Sequence, residues 1–130
     1  MLEALGRRGR YRAGQLAGVS REQLTRGFVK QPQTGDEASY EVSPELKQHV
    51  TFARLNLAQP PFPMKGPFDA VLCRNVMIYF DAPVRQGLVR EMERLVRPGG
   101  LVMVGHSETL SGLETALQVV APSVYRRSGG

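Results

Sequence analysis

The chain has 130 residues, 42% of them hydrophobic, which suffices for one soluble domain, while the absence of a run of about 18 apolar residues excludes a helical membrane span. Its single cysteine and two histidines exclude an internal disulfide and any recognisable metal-ligand cluster. The net charge of +5 is local: residues 1–30 carry seven basic side chains against Glu3 and Glu22, and the remaining hundred residues balance.

Such a basic third can attract acidic protein segments, nucleic acid or a membrane surface, or simply keep the protein solvated. The opening MLEALGRRGR has no apolar stretch long enough for a secretory signal, and the lone Cys73 fits a reducing cytoplasm. Residues 2–8 read as the tail of a helix ended by Gly9. Arg10–Leu16 follows as a short strand or extended segment. Ser20 and Gln23 have capping-box spacing, Val19 and Leu24 that of a hydrophobic staple, so a short helix should run from Ser20 to about Phe28. Leu24 and Phe28, four apart, share one face. Gln31–Ser39 is a polar, turn-rich loop.

Tyr40–Val42 and Val50–Leu55 are strand candidates, separated by Ser43-Pro44, an N-cap followed by proline at the first helical position. Gln59–Pro67 holds four of the nine prolines and can be neither regular helix nor central strand. Ala70–Cys73 is a continuous apolar run, as expected of a parallel strand covered on both faces. Asp81 can cap a helix to about Val96, with Val84, Leu88, Met92, Leu95 and Val96 at helical spacing and Glu93 and Arg97 paired on its wet side. Pro98-Gly99-Gly100 ends that helix, and Leu101–Val104 is the next buried strand. Leu117–Ala121 and Val124–Arg127, around Pro122-Ser123, read as a closing hairpin.

Polar residues stand where these strands end: Asn56 after the first, Arg74-Asn75 after the second, His106-Ser107-Glu108 after the third. Open α/β sheets bind ligands at the carboxyl ends of their strands. Asn75 offers both donor and acceptor, which suits an adenine edge or a methionyl group; equally, such residues cap strand ends and satisfy loop backbone. His106-Ser107-Glu108 is not a hydrolytic triad, because neighbours in a loop rarely converge and no G-x-S-x-G elbow is present. It reads as a structural loop, with Ser107 or Thr109 capping a short helix.

The words CRNVMIYF and GHSETL resemble the CheR family of chemotaxis protein methyltransferases, which move a methyl group from S-adenosylmethionine to receptor glutamates. The resemblance implies an α/β fold: part of a class I methyltransferase (Rossmann-like) domain with a mostly parallel sheet, and an inserted small antiparallel β-subdomain. It divides the chain into a helix tail (1–9), the β-subdomain (10–52) and the carboxyl-terminal half of the cofactor domain (53–130). It implies S-adenosylmethionine contacts at Asn56, Leu57, Arg74 and Asn75. Tyr79 and Phe80, which finish the motif, either line the pocket or, the favoured reading, are core aromatics. It makes the cytoplasmic segment of a chemotaxis receptor the partner, which the basic amino-terminal third would suit if that segment is acidic.

No catalytic residue is assigned, since a glutamate nucleophile and a sulfonium methyl donor ask chiefly for positioning. The glycine-rich loop and ribose-binding acid that open such sheets are not found, and Leu2-Glu3-Ala4 resembles the helix after the ribose-binding strand. The expectation is therefore an incomplete enzyme, with self-association through an exposed sheet edge. Two alternatives stand beside it: a non-catalytic receptor- or peptide-binding module, and a nucleic-acid-binding module. The second lacks a stacking platform beyond Tyr11 and Phe28.

Overall fold

The structure, a computed structural model, describes residues 6–33 and 35–129. They form two compact units, divided between Arg54 and Leu55.

In the first unit residues 6–8 are helical and Gly9 ends them at φ +65°, a conformation that costs glycine nothing. The reading of residues 2–5 as helix lies outside the described residues. Strand β1 (Arg10–Arg12) passes into a 3-10 turn over Ala13–Leu16, so the expected extended segment is half as long. Helix α1 (Arg21–Gly27) starts as its sequence requires. The Ser20 hydroxyl accepts the Gln23 N–H at 3.1 Å, and the Gln23 side chain accepts the Ser20 N–H at 3.0 Å. Phe28 is already extended and opens β2 (Phe28–Lys30), a strand its short apolar pattern did not announce.

Strand β3 (Ser39–Val42) lies between the other two, antiparallel to both. Ser43 then caps helix α2 (Pro44–Lys47) by accepting the Leu46 N–H at 3.2 Å. No hydrophobic side chain among the described residues of this unit is fully buried. Its order comes from the ladder, the caps and an edge-on contact of Tyr11 with Phe28, ring centres 6.4 Å apart.

Val50–Leu55, expected to be a strand, is not one. Its β-branched and aromatic content suits extended backbone, but no described strand pairs with it, and a strand exists only through its partner.

The second unit is a four-stranded sheet, order β4-β5-β7-β6, built from β4 (Phe68–Cys73), β5 (Val96–Val104), β6 (Gln118–Ala121) and β7 (Val124–Arg126). The β4–β5 pair is parallel and the other two pairs antiparallel, so the sheet is mixed rather than mostly parallel. Helix α3 (Ala82–Leu95) makes the crossover between the parallel strands. Asp81 caps it by accepting the Val84 N–H at 3.2 Å, and Pro83 sits in its first turn. Its Leu88, Val89, Met92 and Leu95 pack with Val102, Val104 and Tyr125 into a single core.

The helix stops at Leu95, because Pro98 cannot continue it and biases the residue before it towards extended backbone. Gly99, at φ +80°, makes the bend. The expected Glu93–Arg97 pair does not form. The helix ends between them, so Arg97 turns to Asp69 (2.8 Å) and Glu93 accepts the Thr115 hydroxyl (2.8 Å).

β4 is not covered on both faces, as its apolar run suggested. It is the edge of the described sheet, and Leu72 is 64% exposed. Leu72 stands opposite Met103, and Met103 opposite Val124. These three apolar side chains share the sheet face turned away from the buried Val102, because side chains alternate along a strand.

Candidate functional site

The loops at the carboxyl ends of β4 and β5 are bound to one another by one side chain. The Glu108 carboxylate accepts three backbone N–H groups: Asn75 at 2.7 Å, Met77 at 2.8 Å and Gly105 at 2.8 Å. Glu108 is only 8% exposed and forms no ion pair among the described residues. Burial alone would raise its pKa. The N–H groups of Asn75, Gly105, Met77 and Ile78 outweigh burial and hold the carboxyl below its ordinary value, since they favour the charged form.

This arrangement fixes Asn75 in the left-handed region at φ +63°, where asparagine is the most tolerant residue after glycine. It also explains Gly105. A Cβ there would stand 2.7 Å from Glu108 Oε1 and collide with Asn75 Oδ1, so the close approach of the two loops requires glycine. After Asn75 the chain makes a 3-10 turn over Met77–Tyr79. Met77 is buried, whereas Tyr79 is 80% exposed. Tyr79 is thus not a core aromatic; Phe80, half-buried, does pack on the core.

A cleft of about 430 Å3 borders β4, lined by Leu57, Val71, Cys73, Arg74 and Val76 among others. Two of the four expected cofactor contacts, Leu57 and Arg74, meet on its wall; Asn56 and Asn75 do not line it but adjoin residues that do. Asn56 does not end a strand. Its Oδ1 accepts the Ala58 N–H at 3.0 Å, which makes it the cap of its own turn and leaves the amide nitrogen available as a donor. A larger hollow of about 560 Å3 in the first unit, between Tyr11, Leu46, Val50 and Phe52, is lined by none of the four.

Cys73, at the end of β4, is no nucleophile: burial, and then the charge of Glu108, pushes its thiol up to about 11. Ser107 and Thr109 start no helix. Residues 106–107 and 111–112 are turns, with Thr109 Oγ1 accepting the Ser111 N–H at 3.1 Å. The residue of that loop with a structural task is Glu108, which the sequence reading passed over. Its signal was available in the question of where the N–H groups of a loop just after a buried strand find acceptors. Among the described residues no group of three His, Cys, Asp or Glu could hold a metal ion, and no helix is long and apolar enough to cross a membrane.

An apolar cleft at a strand's carboxyl end, a loop set there by a buried carboxylate, and polar groups at the rim are the parts of a nucleotide-type site in an α/β sheet. Residues 2–126 match the family described as CheR methyltransferase, SAM binding domain. The chain belongs to that family, whose cofactor is S-adenosylmethionine.

Among curated relatives it is 42% identical over 123 residues to the chemotaxis protein methyltransferase of Escherichia coli K12, an alignment covering 94% of this chain and 42% of that protein. The corresponding protein of Salmonella typhimurium is 39% identical over the same lengths. Chemotaxis protein methyltransferase 2 of Pseudomonas aeruginosa is 42% identical over 81 residues, 62% of this chain and 29% of that protein. The chain thus spans about two fifths of the length of its enterobacterial relatives.

The described residues fit one end of the cofactor. The aliphatic wall of Leu57, Val71 and Val76 suits a flat base. No buried carboxylate stands free there for ribose hydroxyls, since Glu108 is fully engaged with backbone.

Proposed function

We propose that this chain forms part of the S-adenosylmethionine-binding domain of a cytoplasmic protein-glutamate O-methyltransferase acting on chemotaxis receptors. In this reading residues 10–52 are a small β-subdomain, and Asn56, Leu57, Arg74 and Asn75 are the cofactor contacts. The observation that carries it is the Asn75 loop, held left-handed at the end of β4 beside an apolar cleft. Support comes also from the motif CRNVMIYF lying on that loop and from the names of the relatives.

When bound, S-adenosylmethionine supplies a methyl group already activated on its sulfonium sulfur. A glutamate side chain, with a reference pKa of about 4.3, is an anion near neutral pH and needs no base. The work left to the chain is to bind and orient. The Asn56 and Asn75 amides can read the base edge, Leu57 and Val76 exclude water from its faces, and Arg74 presents a fixed positive charge at the cleft. A charge so placed suits an incoming carboxylate, and the exposed Tyr79 in the same loop offers a hydroxyl at the mouth.

Thermal melts of the chain with saturating S-adenosylhomocysteine test the reading. The expected result is a midpoint that rises with ligand, a shift removed by Asn75→Ala and kept by Arg90→Ala. Arg90 is the proper control: it lies exposed on α3, pairing with Glu114 at 3.4 Å, whereas Arg85 holds its Nε buried without a partner. Equal loss from both substitutions would defeat the site assignment.

A second reading, a non-catalytic module that binds a receptor segment, rests on the first unit being compact with its own antiparallel sheet. Capture of acidic receptor peptides by a chain that does not respond to S-adenosylhomocysteine would favour it.

A further inference from the structure

We propose that Glu108 is a positioning residue for the cofactor site: its carboxylate holds the Arg74–Asn75 loop in the conformation that meets the cofactor, acting through the backbone N–H groups of Asn75 and Met77. This deepens the reading above and rests on it.

The geometry is specific. One carboxylate oxygen bridges Asn75 (2.7 Å) and Gly105 (2.8 Å), and the other takes Met77 (2.8 Å). Both loops therefore hang on one group 31 to 33 residues away from the β4 loop it holds. Left-handed backbone at a non-glycine residue persists only where the surroundings impose it, and at Asn75 the imposing contact is the Glu108 bond. Gly105 leaves the space for this acceptor to sit between the loops.

An acceptor-only group is required. A carboxylate receives all three donors, whereas a glutamine amide would point its NH2 at an N–H. Aspartate keeps the charge but is one methylene short, so it should recover only part of the function. Among the described residues the carboxylate accepts hydrogen bonds from backbone alone, which makes Glu108 an orienting group and not a catalytic residue.

The test uses the 130-residue chain and two readouts. The first is amide hydrogen exchange at Asn75, Met77 and Gly105, which needs no ligand. In Glu108→Gln exchange there should accelerate about tenfold or more, as expected for loss of a charge-assisted bond, while the amides of Leu88 and Val102 stay protected. In the wild type the protection of the three amides should fall only as pH drops below the ordinary carboxylate range, through the lowered folded pKa, and in Glu108→Gln this step should be absent.

The second readout is the S-adenosylhomocysteine affinity of a double-mutant cycle pairing Glu108→Gln with Asn75→Gly. Glycine reaches φ +63° unaided. If Glu108 acts by imposing that conformation, Glu108→Gln should weaken binding about tenfold in the parent and at most about twofold in the Asn75→Gly background. Equal losses in both backgrounds, or unchanged exchange at the three amides, would overturn the proposal. A wild-type chain that binds no S-adenosylhomocysteine would instead defeat the cofactor reading, and the exchange data alone would then decide whether Glu108 sets the loop.

Discussion

The Glu108 carboxylate and the Asn75 N–H lie 2.7 Å apart across 33 residues of sequence, so the two strand-end loops behave as one element. The charge state of Glu108 is therefore coupled to stability. Its folded pKa is below the ordinary value, so the unfolded chain binds the proton more tightly. The stabilisation is present above the unfolded pKa of about 4.3 and is lost as pH falls through the lower folded value. Unfolding midpoints measured from pH 7 down to 3 should drop steeply over the acid end, and less steeply in Glu108→Gln. Parallel curves would show that the three hydrogen bonds contribute no linkage.

Gly105 should tolerate no side chain. Its Cβ would meet Glu108 Oε1 at 2.7 Å, an oxygen pinned by two backbone N–H groups, and would stand 3.1 Å from the Asn75 backbone nitrogen. Gly105→Ala is expected to cost about 1–3 kcal/mol, the range for overpacking a close contact. Chemical denaturation gives the number, and a change under about 0.5 kcal/mol would mean that the loops part easily.

Cys73 should report alkaline conditions. Its folded pKa is about 11, against about 8.5 in an unfolded chain. The neutral thiol is the folded form, so its contribution is complete below about 8.5 and is lost as pH rises through the folded value. Stability measured between pH 8 and 11 should decline less in Cys73→Ala than in the parent. A thiol reagent at pH 8 should label the native protein far more slowly than the unfolded chain, because the thiol is neutral and little exposed; equal rates would contradict this.

Leu72 gives a prediction of opposite kind. It is 64% exposed on the edge strand β4, so Leu72→Lys should change stability by no more than about 0.5 kcal/mol. A lysine on an open edge disfavours strand addition. Sedimentation velocity should show less self-association in the variant than in the parent, and identical profiles would remove this edge as the route.

How far the sequence could be read differed between the two units. Local signals held: the Ser20–Gln23 capping box, the Ser43 and Asp81 caps and the Pro122-Ser123 hairpin all depend on residues within a few positions of one another, whereas Pro98-Gly99-Gly100, read as a turn, lies inside β5. What failed depended on partners. Val50–Leu55 had strand composition but no partner strand among the described residues, and Phe28–Lys30 had a neighbour but little pattern. The apolar run of β4 suggested full burial because periodicity cannot tell a covered strand from an edge. Arg97 was expected to pair along a helix that had already ended.

At the site, Arg74 stood out in the sequence as a strand-end polar residue and Leu57 came from the family resemblance alone; that both line one cleft is a finding of the structure. Asn56 turned out to cap its own turn, and Tyr79, classed by its aromatic character as core, faces solvent. Glu108 went unnoticed because its partners are backbone groups, which carry no side-chain identity for a sequence to display.

The closing hairpin has a consequence for how the protein is made. Val104 N–H bonds to the Ser123 carbonyl at 2.9 Å, the Ser123 hydroxyl to the Gly105 carbonyl at 3.2 Å, and Leu110 N–H to the Tyr125 hydroxyl at 3.2 Å. The loop bearing Glu108 is thus buttressed by residues 123–125, which follow it in the sequence. A ribosome delivers these after everything they support. While residues 123–125 remain in the exit tunnel, both strand-end loops lack their backing, and a nascent chain stalled there should have its core helix but no finished rim.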